Sequence, residues 1–132
     1  MKDDEKDVID VHTELLELLH RECSEENLWK VVLEYQGFEF LTASGLPFTY
    51  SVKRGRNGNY NKELIIDRRN QSKSLTWSSI VLAFNNAMKM RGEIVERPKA
   101  LGDIRGVSYI YPMLFHFGVI RVPGKIEEKW IN

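Results

Sequence analysis

The chain has 132 residues, with 19 lysines and arginines against 19 aspartates and glutamates, so its formal net charge is zero. Its 42% hydrophobic content is ordinary for a globular protein and argues against wholesale disorder. The single cysteine excludes an internal disulfide framework and any CxxC motif, and predicts a reducing, cytoplasmic location. No apolar run approaches the roughly 20 residues of a membrane span. The acidic N-terminus is atypical of a signal or transit peptide, so we expect no membrane association.

The neutral total conceals an uneven distribution of charge. Residues 1–34 contain four bases and eleven acids, a net charge of −7, whereas the other 98 residues contain fifteen bases and eight acids, a net charge of +7. Each segment therefore presents its own electrostatic field. We interpret the acidic segment as a solvated helix or as an arm that docks on the basic remainder. A dedicated partner-binding tail is the alternative.

Two helices are predicted at the N-terminus. Residues 4–22 carry one stripe of apolar side chains at three- and four-residue steps, namely Val8, Val11, Leu15, Leu18 and Leu19. Ser24 resembles the N-cap of a second helix, which Gly37 would end. A strand is the alternative there because Val31 and Val32 are β-branched. We prefer the helix.

Period-two patterning predicts three antiparallel strands, beginning near Phe38, Phe48 and Tyr60 and joined as a meander. Asn57-Gly58 between the second and third strands is a strong hairpin signal, because a type I′ turn requires positive φ at both central residues. The third strand ends near Arg68, and a polar connection, Asn70–Ser74, follows it.

The C-terminal half is predicted to be mainly helical. A helix starts near Thr76, with Thr76 or Ser74 as its cap, and ends before Gly92. A second, strongly apolar helix runs from Tyr109 to Phe117 with Ser108 as its cap, which places Pro112 in the first turn. Short strands are predicted at 93–95 and 119–122, a loop at 100–107, and a charged tail after Pro123.

These elements predict an α+β fold in a single domain. Its parts are an acidic helical segment (1–36), a three-stranded β-meander (37–69), a helical half (74–122) and a tail (123–132). We expect the meander to pack with the N-terminal helices and the two C-terminal helices.

A basic cluster is the most informative candidate site. Residues 53–73 carry seven bases against two acids, and a helix that begins near Thr76 would add backbone amides and hydroxyls suited to phosphate. Tyr60 and Trp77 could stack on bases. The predicted anion-binding residues are Lys53, Arg54, Arg56, Arg68, Arg69, Lys73, Thr76 and Trp77. The plain alternative is that these charges only keep edge strands solvated.

Other chemistry has weaker support. His12, His20 and Cys23 could share a helix face, but His116 is the only other histidine, so we predict no metal site and no cofactor. Neither HExxH, a Walker loop, GxGxxG nor GxSxG is present, and we predict no catalytic residues. The apolar segment 109–117 is interpreted as core, with a pocket floor or dimer face as the alternative.

The leading functional hypothesis is a small binding module without catalytic activity, which contacts nucleic acid through the basic hairpin and a helix N-terminus. A protein-interaction or oligomerisation module is the second hypothesis, and it would use the acidic N-terminal helix and the apolar 108–117 helix. A small-molecule-binding protein or enzyme is the third. No motif links the sequence to a known family.

Overall fold

The computed structural model describes the backbone of residues 2–68 and 71–131 and the side chains of residues 11–68 and 71–131. Within these ranges the chain is α+β, as predicted, with five α-helices and one sheet of four antiparallel strands. The described residues form two compact units, one that ends at Tyr35 and one that begins at Gln36.

The first unit consists of helix α1 (Lys2–Arg21) and helix α2 (Glu25–Glu34). Ser24 caps α2, because its hydroxyl accepts a hydrogen bond from the amide of Asn27 at 3.2 Å. The Asn27 side chain in turn donates to the carbonyl of Glu22 at 2.8 Å. The helix prediction is therefore confirmed over the strand alternative, and the cap is the residue that was expected.

Contacts between the two helices involve both apolar and titratable side chains. Leu19 of the predicted apolar stripe is fully buried, whereas the side chain of Val8 lies outside the described residues. His12 Nε2 lies 3.0 Å from Glu34 Oε1, and the His12 ring stacks on Tyr35 at 5.3 Å. Burial and the Glu34 carboxylate raise the pKa of Tyr35 above its usual value.

The second unit contains the whole sheet. Its strands are β1 (Phe40–Leu41), β2 (Pro47–Arg54), β3 (Tyr60–Arg68) and β4 (Gln71–Thr76), and they lie in chain order. The antiparallel meander is confirmed, but the prediction of three strands is wrong, because most of the expected polar connection belongs to β4. That strand is an edge strand with one buried residue, Leu75, and therefore lacks the apolar alternation by which strands are predicted.

The loop between β2 and β3 has five residues, 55–59. Its turn closes where the Gly58 amide donates to the Gly55 carbonyl at 3.0 Å, and the Gly55 amide donates to the Asn59 carbonyl at 2.8 Å. Gly58 has φ +81°, a conformation that favours glycine. The hairpin and its 55–59 connection are thus confirmed, although the turn closes over Arg56-Asn57 and not over Asn57-Gly58.

Three further helices follow the sheet. Helix α3 (Trp77–Lys89) is capped by Thr76, as predicted, and a 3₁₀ turn (Pro98–Leu101) occupies part of the expected loop. Helices α4 (Val107–His116) and α5 (Gly124–Ile131) complete the unit. The two short strands predicted at 93–95 and 119–122 are wrong, since the structure has only one parallel bridge there, between Ile94 and Arg121.

The beginning of α4 differs from the prediction. Its N-cap is Gly106, with φ +83°, and not Ser108. Pro112 consequently lies inside the helix, as its sixth residue, where the missing N–H removes the bond to the Ser108 carbonyl. A side chain at position 106 would collide with the core, because an added Cβ would lie 2.5 Å from Leu75 Cδ1. Packing therefore selects the cap here.

The predicted charged tail is helix α5. Its Trp130 is buried, the indole Nε1 donates to the carbonyl of Thr42 at 3.2 Å, and the ring contacts Tyr111 at 5.5 Å and Phe115 at 5.1 Å. One aromatic anchor thus converts a mainly charged sequence into a docked helix, which explains why the prediction of a tail is wrong.

One face of the sheet forms the core of the second unit with α3 and α4. Alternate residues of β2 and β3 are buried on this face, including Tyr50 and Ile66, and α4 is apolar nearly all round, as predicted for a core segment. Within the residues that the structure describes, no helix is both long enough and apolar enough to cross a membrane.

Removal of the Trp130 side chain should strongly destabilise the second unit. We expect Trp130→Ala to lower the free energy of unfolding by about 3–5 kcal/mol, since a large buried ring is lost. Trp130→Phe keeps a ring but loses the bond to Thr42, so we expect a loss of about 1 kcal/mol from that bond alone. Urea denaturation followed by circular dichroism measures both. Equal, small losses in the two variants would show that the ring of Trp130 does not anchor α5.

His116 should make stability depend on pH. Its ring lies among Phe38, Phe40, Phe115 and Trp130, with centroid distances of 5.2–6.1 Å. Burial lowers the pKa of this imidazole in the folded protein. The unfolded chain therefore binds the proton more strongly than the folded protein does. The contribution of neutral His116 to the free energy of unfolding is present above about pH 6.5, and it is lost as the pH falls through the folded pKa.

The pH effect can be measured with nuclear magnetic resonance. We expect the His116 imidazole resonance, assigned with the variant His116→Gln, to titrate below pH 6.5. The loss of unfolding free energy between pH 7.5 and pH 5.5 should be smaller in His116→Gln than in the parent protein. A His116 resonance that titrates above pH 6.5 would contradict the prediction that burial lowers the pKa of this imidazole.

Candidate anion site

The core-facing side of the sheet becomes cationic at one end. Along β3 the residues on this face are Leu64, Ile66 and then Arg68, because side chains alternate along a strand. The register pairs Ile66 with Lys73 and Arg68 with Gln71 on β4. Arg68 and Lys73 therefore continue the core face beyond its apolar part, at the end of the sheet where β3 leads into β4.

Arg68 is held on the aromatic part of the core. Its guanidinium carbon lies 5.8 Å from the centroid of the Tyr109 ring, and Tyr109 meets Phe48 edge-on at 5.1 Å. One terminal nitrogen donates to Gln71 Oε1 at 3.3 Å. The Nε atom is buried and has no hydrogen-bond partner among the described residues. A buried unpaired N–H of this kind costs about 1–3 kcal/mol, which an incoming acceptor would offset.

Helix α4 begins opposite this arginine. Arg105 and Gly106 precede its first residue, and Ser108 is exposed in its first turn. Within the described residues no side chain caps the helix, and no acceptor takes the Ser108 amide or hydroxyl. The first turn of a helix has amides that lack intrahelical acceptors, and the helix dipole adds partial positive charge there. This end of α4 is therefore suited to an anion.

These groups line a single cleft of about 520 Å³. Its lining comes from the β3–β4 hairpin and from the beginning of α4, namely Arg68, Ser72, Lys73, Ser74, Leu75, Arg105, Gly106, Ser108 and Tyr109. Three of these residues are cations, and no carboxylate is among them. The cleft has the size of an ordinary ligand pocket. Positive charge, hydroxyl groups and unpaired N–H donors together favour phosphate or a similar oxyanion.

The predicted residues at the β2–β3 hairpin lie elsewhere. Eight residue steps separate Tyr60, at that hairpin, from Arg68, which is about 27 Å along β3. Lys53 pairs with Glu63 at 3.2 Å. Arg54 donates to the Gly58 carbonyl at 2.7 Å and to the Tyr60 hydroxyl at 2.9 Å.

These contacts divide the predicted site into two groups. Arg54 also lies over the Tyr60 ring at 4.2 Å, so it is part of the hairpin's own framework. Arg56 is exposed in the loop. Arg68 and Lys73 alone among the predicted residues line the cleft, and Arg69 lies outside the described residues.

Thr76 and Trp77 are also distant from the cleft. Thr76 pairs with Glu63, which is five steps and about 17 Å from Arg68 along β3. The Thr76 hydroxyl caps α3 by accepting from the Ser79 amide at 3.3 Å. Trp77 is only 6% exposed, and Lys62 Nζ lies 5.5 Å from its ring centroid. A ring so covered has no free face on which a base could stack.

Sequence reasoning missed Arg105 and Ser108 as members of the site. Arg105 falls in a segment predicted to be a loop, and Ser108 was expected to cap α4. The sequence does contain a signal at the beginning of α4. Gly106 directly follows the cation Arg105, and the hydroxyl residue Ser108 comes two positions after the glycine. That pattern becomes informative only once β4 is known to lie against Gly106.

The residues considered for metal binding do not form a metal site in the described part of the chain. No group of three or more histidine, cysteine, aspartate or glutamate side chains could hold a metal ion there. His12 is paired with Glu34, and His116 lies among aromatic rings.

Comparisons with known protein families, with curated proteins and with solved structures found no match to this chain.

The anion-binding capacity of the cleft can be tested with inorganic phosphate. Arg68→Lys keeps the charge but removes the Nε–H donor and the planar fork, so we expect its affinity for inorganic phosphate to fall about tenfold. Arg56→Ala, which removes a charge at the distant hairpin, should leave the affinity unchanged. Isothermal titration calorimetry measures both. Equal losses of affinity in the two variants would mean that phosphate binding depends on the total charge and not on this cleft.

Proposed function

We propose that this protein is a non-enzymatic module that binds a nucleic-acid strand through backbone phosphate in the Arg68 cleft. The observation that carries the proposal is the buried, unpaired Nε–H of Arg68, a residue that lines the cleft with Lys73 and Arg105 and, among the described residues, with no carboxylate. A phosphate oxygen is a strong acceptor, and the guanidinium groups and the Ser108 amide are donors suited to it.

Charge favours a polyanion over an isolated small anion. The residues after position 34 carry a net charge of +7, so the cleft belongs to a basic part of the chain. A strand with one charge on every phosphate would gain from this wider field as well as from the cleft. The acids that bring the whole chain to a net charge of zero are concentrated in residues 1–34.

The contacts favour binding without base recognition. Tyr60 is exposed but lies about 27 Å along β3 from Arg68, and Trp77 is buried, so neither ring supplies a stacking platform beside the cleft. The apolar lining of the cleft, Leu75 and Tyr109, is also buried. Cations and hydroxyls that face phosphate fix a strand in position but carry no sequence information. We therefore expect similar affinity for strands of different sequence.

Salt dependence provides the test with a single-stranded oligonucleotide. If the strand places one phosphate against each of the three cations, log K should fall with log salt with a slope of about −2, and Arg105→Ala should reduce that magnitude by about 0.7. Fluorescence anisotropy between 50 and 200 mM NaCl measures both slopes. Arg56→Ala is the matched control, because it removes an exposed arginine in the loop that precedes Tyr60, and Tyr60 lies about 27 Å along β3 from Arg68. Unaltered binding by Arg105→Ala, or no binding by the parent protein, would contradict the proposal.

The second hypothesis, interaction with a protein partner or a second copy through the N-terminal helix and the 108–117 helix, stays a prediction. Seven residues of α4 are buried, so that helix offers little surface to a partner.

A further inference from the structure

The Arg68 cleft offers more donors than one phosphate inside a strand can use. A phosphodiester has two unesterified oxygens and a single negative charge. The cleft supplies the Arg68 guanidinium, of whose five N–H groups Gln71 takes one, a second guanidinium from Arg105, the Lys73 ammonium and the free Ser108 amide. The Ser108 hydroxyl in the first turn of α4 adds to these. The set is better matched by three oxygens than by two.

The charge of the cleft leads to the same conclusion. Three cations line it and no carboxylate offsets them among the described lining residues. A phosphate monoester carries a charge of about −1.5 to −2 near pH 7, because its second pKa is about 6. It would therefore neutralise more of the cleft than a phosphodiester, whose charge is −1.

The base of the cleft is closed by packing. Gly106 lies so near to Leu75 that a Cβ there would come within 2.5 Å of its Cδ1, and the Tyr109 ring completes the floor. A phosphate inside a strand has a sugar on each side, and both must leave through the open side of the cleft. A terminal phosphate has one sugar, so its three free oxygens can enter the cleft further than the two free oxygens of an internal phosphate.

We infer that the cleft recognises the terminal phosphate monoester of a nucleic-acid strand, and that internal phosphates bind more weakly. This inference rests on the proposed function, because it assigns the part of the strand that enters the cleft. A phosphorylated peptide has a similar phosphate group. The nucleic acid is favoured because the +7 charge of the residues after position 34 attracts a chain that is charged at every unit.

The test compares one oligonucleotide sequence with four kinds of end: a 5′-phosphate, a 3′-phosphate, both hydroxyls, and both phosphates. We expect the parent protein to bind at least one singly phosphorylated form ten times or more tightly than the hydroxyl form. In Arg68→Lys that preference should shrink to threefold or less, whereas Arg56→Ala should retain it. Inorganic phosphate should compete with the phosphorylated end. Phosphorus nuclear magnetic resonance should show a shift of the terminal resonance upon binding, with the internal resonances little changed.

The outcomes separate the two proposals. Equal affinity for all four oligonucleotides, with loss in Arg105→Ala, would overturn the inference about the strand end and leave the proposed function intact. Absence of binding to every oligonucleotide would overturn both. Tighter binding of a phosphoserine peptide than of the phosphorylated oligonucleotide would also overturn both, since it would identify a protein as the partner.

Discussion

The contact between the start of α4 and the β3–β4 hairpin is the constraint on which the described site depends. Gly106 lies directly on Leu75, and Tyr109, one turn later, meets Phe48 edge-on at 5.1 Å. This packing excludes any side chain at position 106 and leaves the first amides of α4 without a side-chain cap. It also supports the guanidinium of Arg68 on the Tyr109 ring. Core packing and the arrangement of donors are therefore one feature of the fold.

The elements with strong local signals were predictable. Ser24 and Thr76 cap their helices as side-chain chemistry requires, and the alternating patterns of β2 and β3 identify both strands. The elements that were missed lack such signals. β4 has one buried residue and is otherwise polar, and α5 depends on the single ring of Trp130. Tertiary contacts decide these two elements, so their local sequence does not reveal them.

The candidate site was predictable only in part, for the same reason. The local excess of bases correctly drew attention to Arg68 and Lys73. Because bases were grouped by their distance along the chain, the predicted site also included Lys53, Arg54 and Arg56. The structure separates these groups by the length of β3 and gives Lys53 and Arg54 partners within their own hairpin. Arg105 lines the same cleft although it is more than 30 residues away along the chain, and no pattern in the sequence predicts that the two segments lie close together. A basic cluster in a sequence is thus not equivalent to a basic cluster in space.

The unpaired Nε–H of Arg68 gives a physical reason to connect the cleft with binding. A structure selected for stability alone would place an apolar side chain on Tyr109, since a buried N–H without an acceptor costs free energy. Arg68 continues a face that is otherwise apolar at Leu64 and Ile66, so nothing in the strand pattern requires a cation there. This cost of about 1–3 kcal/mol is similar in size to the contribution of a charge-assisted hydrogen bond with an oxyanion. The proposed phosphate ligand would supply an acceptor that the described part of the chain does not give to this N–H.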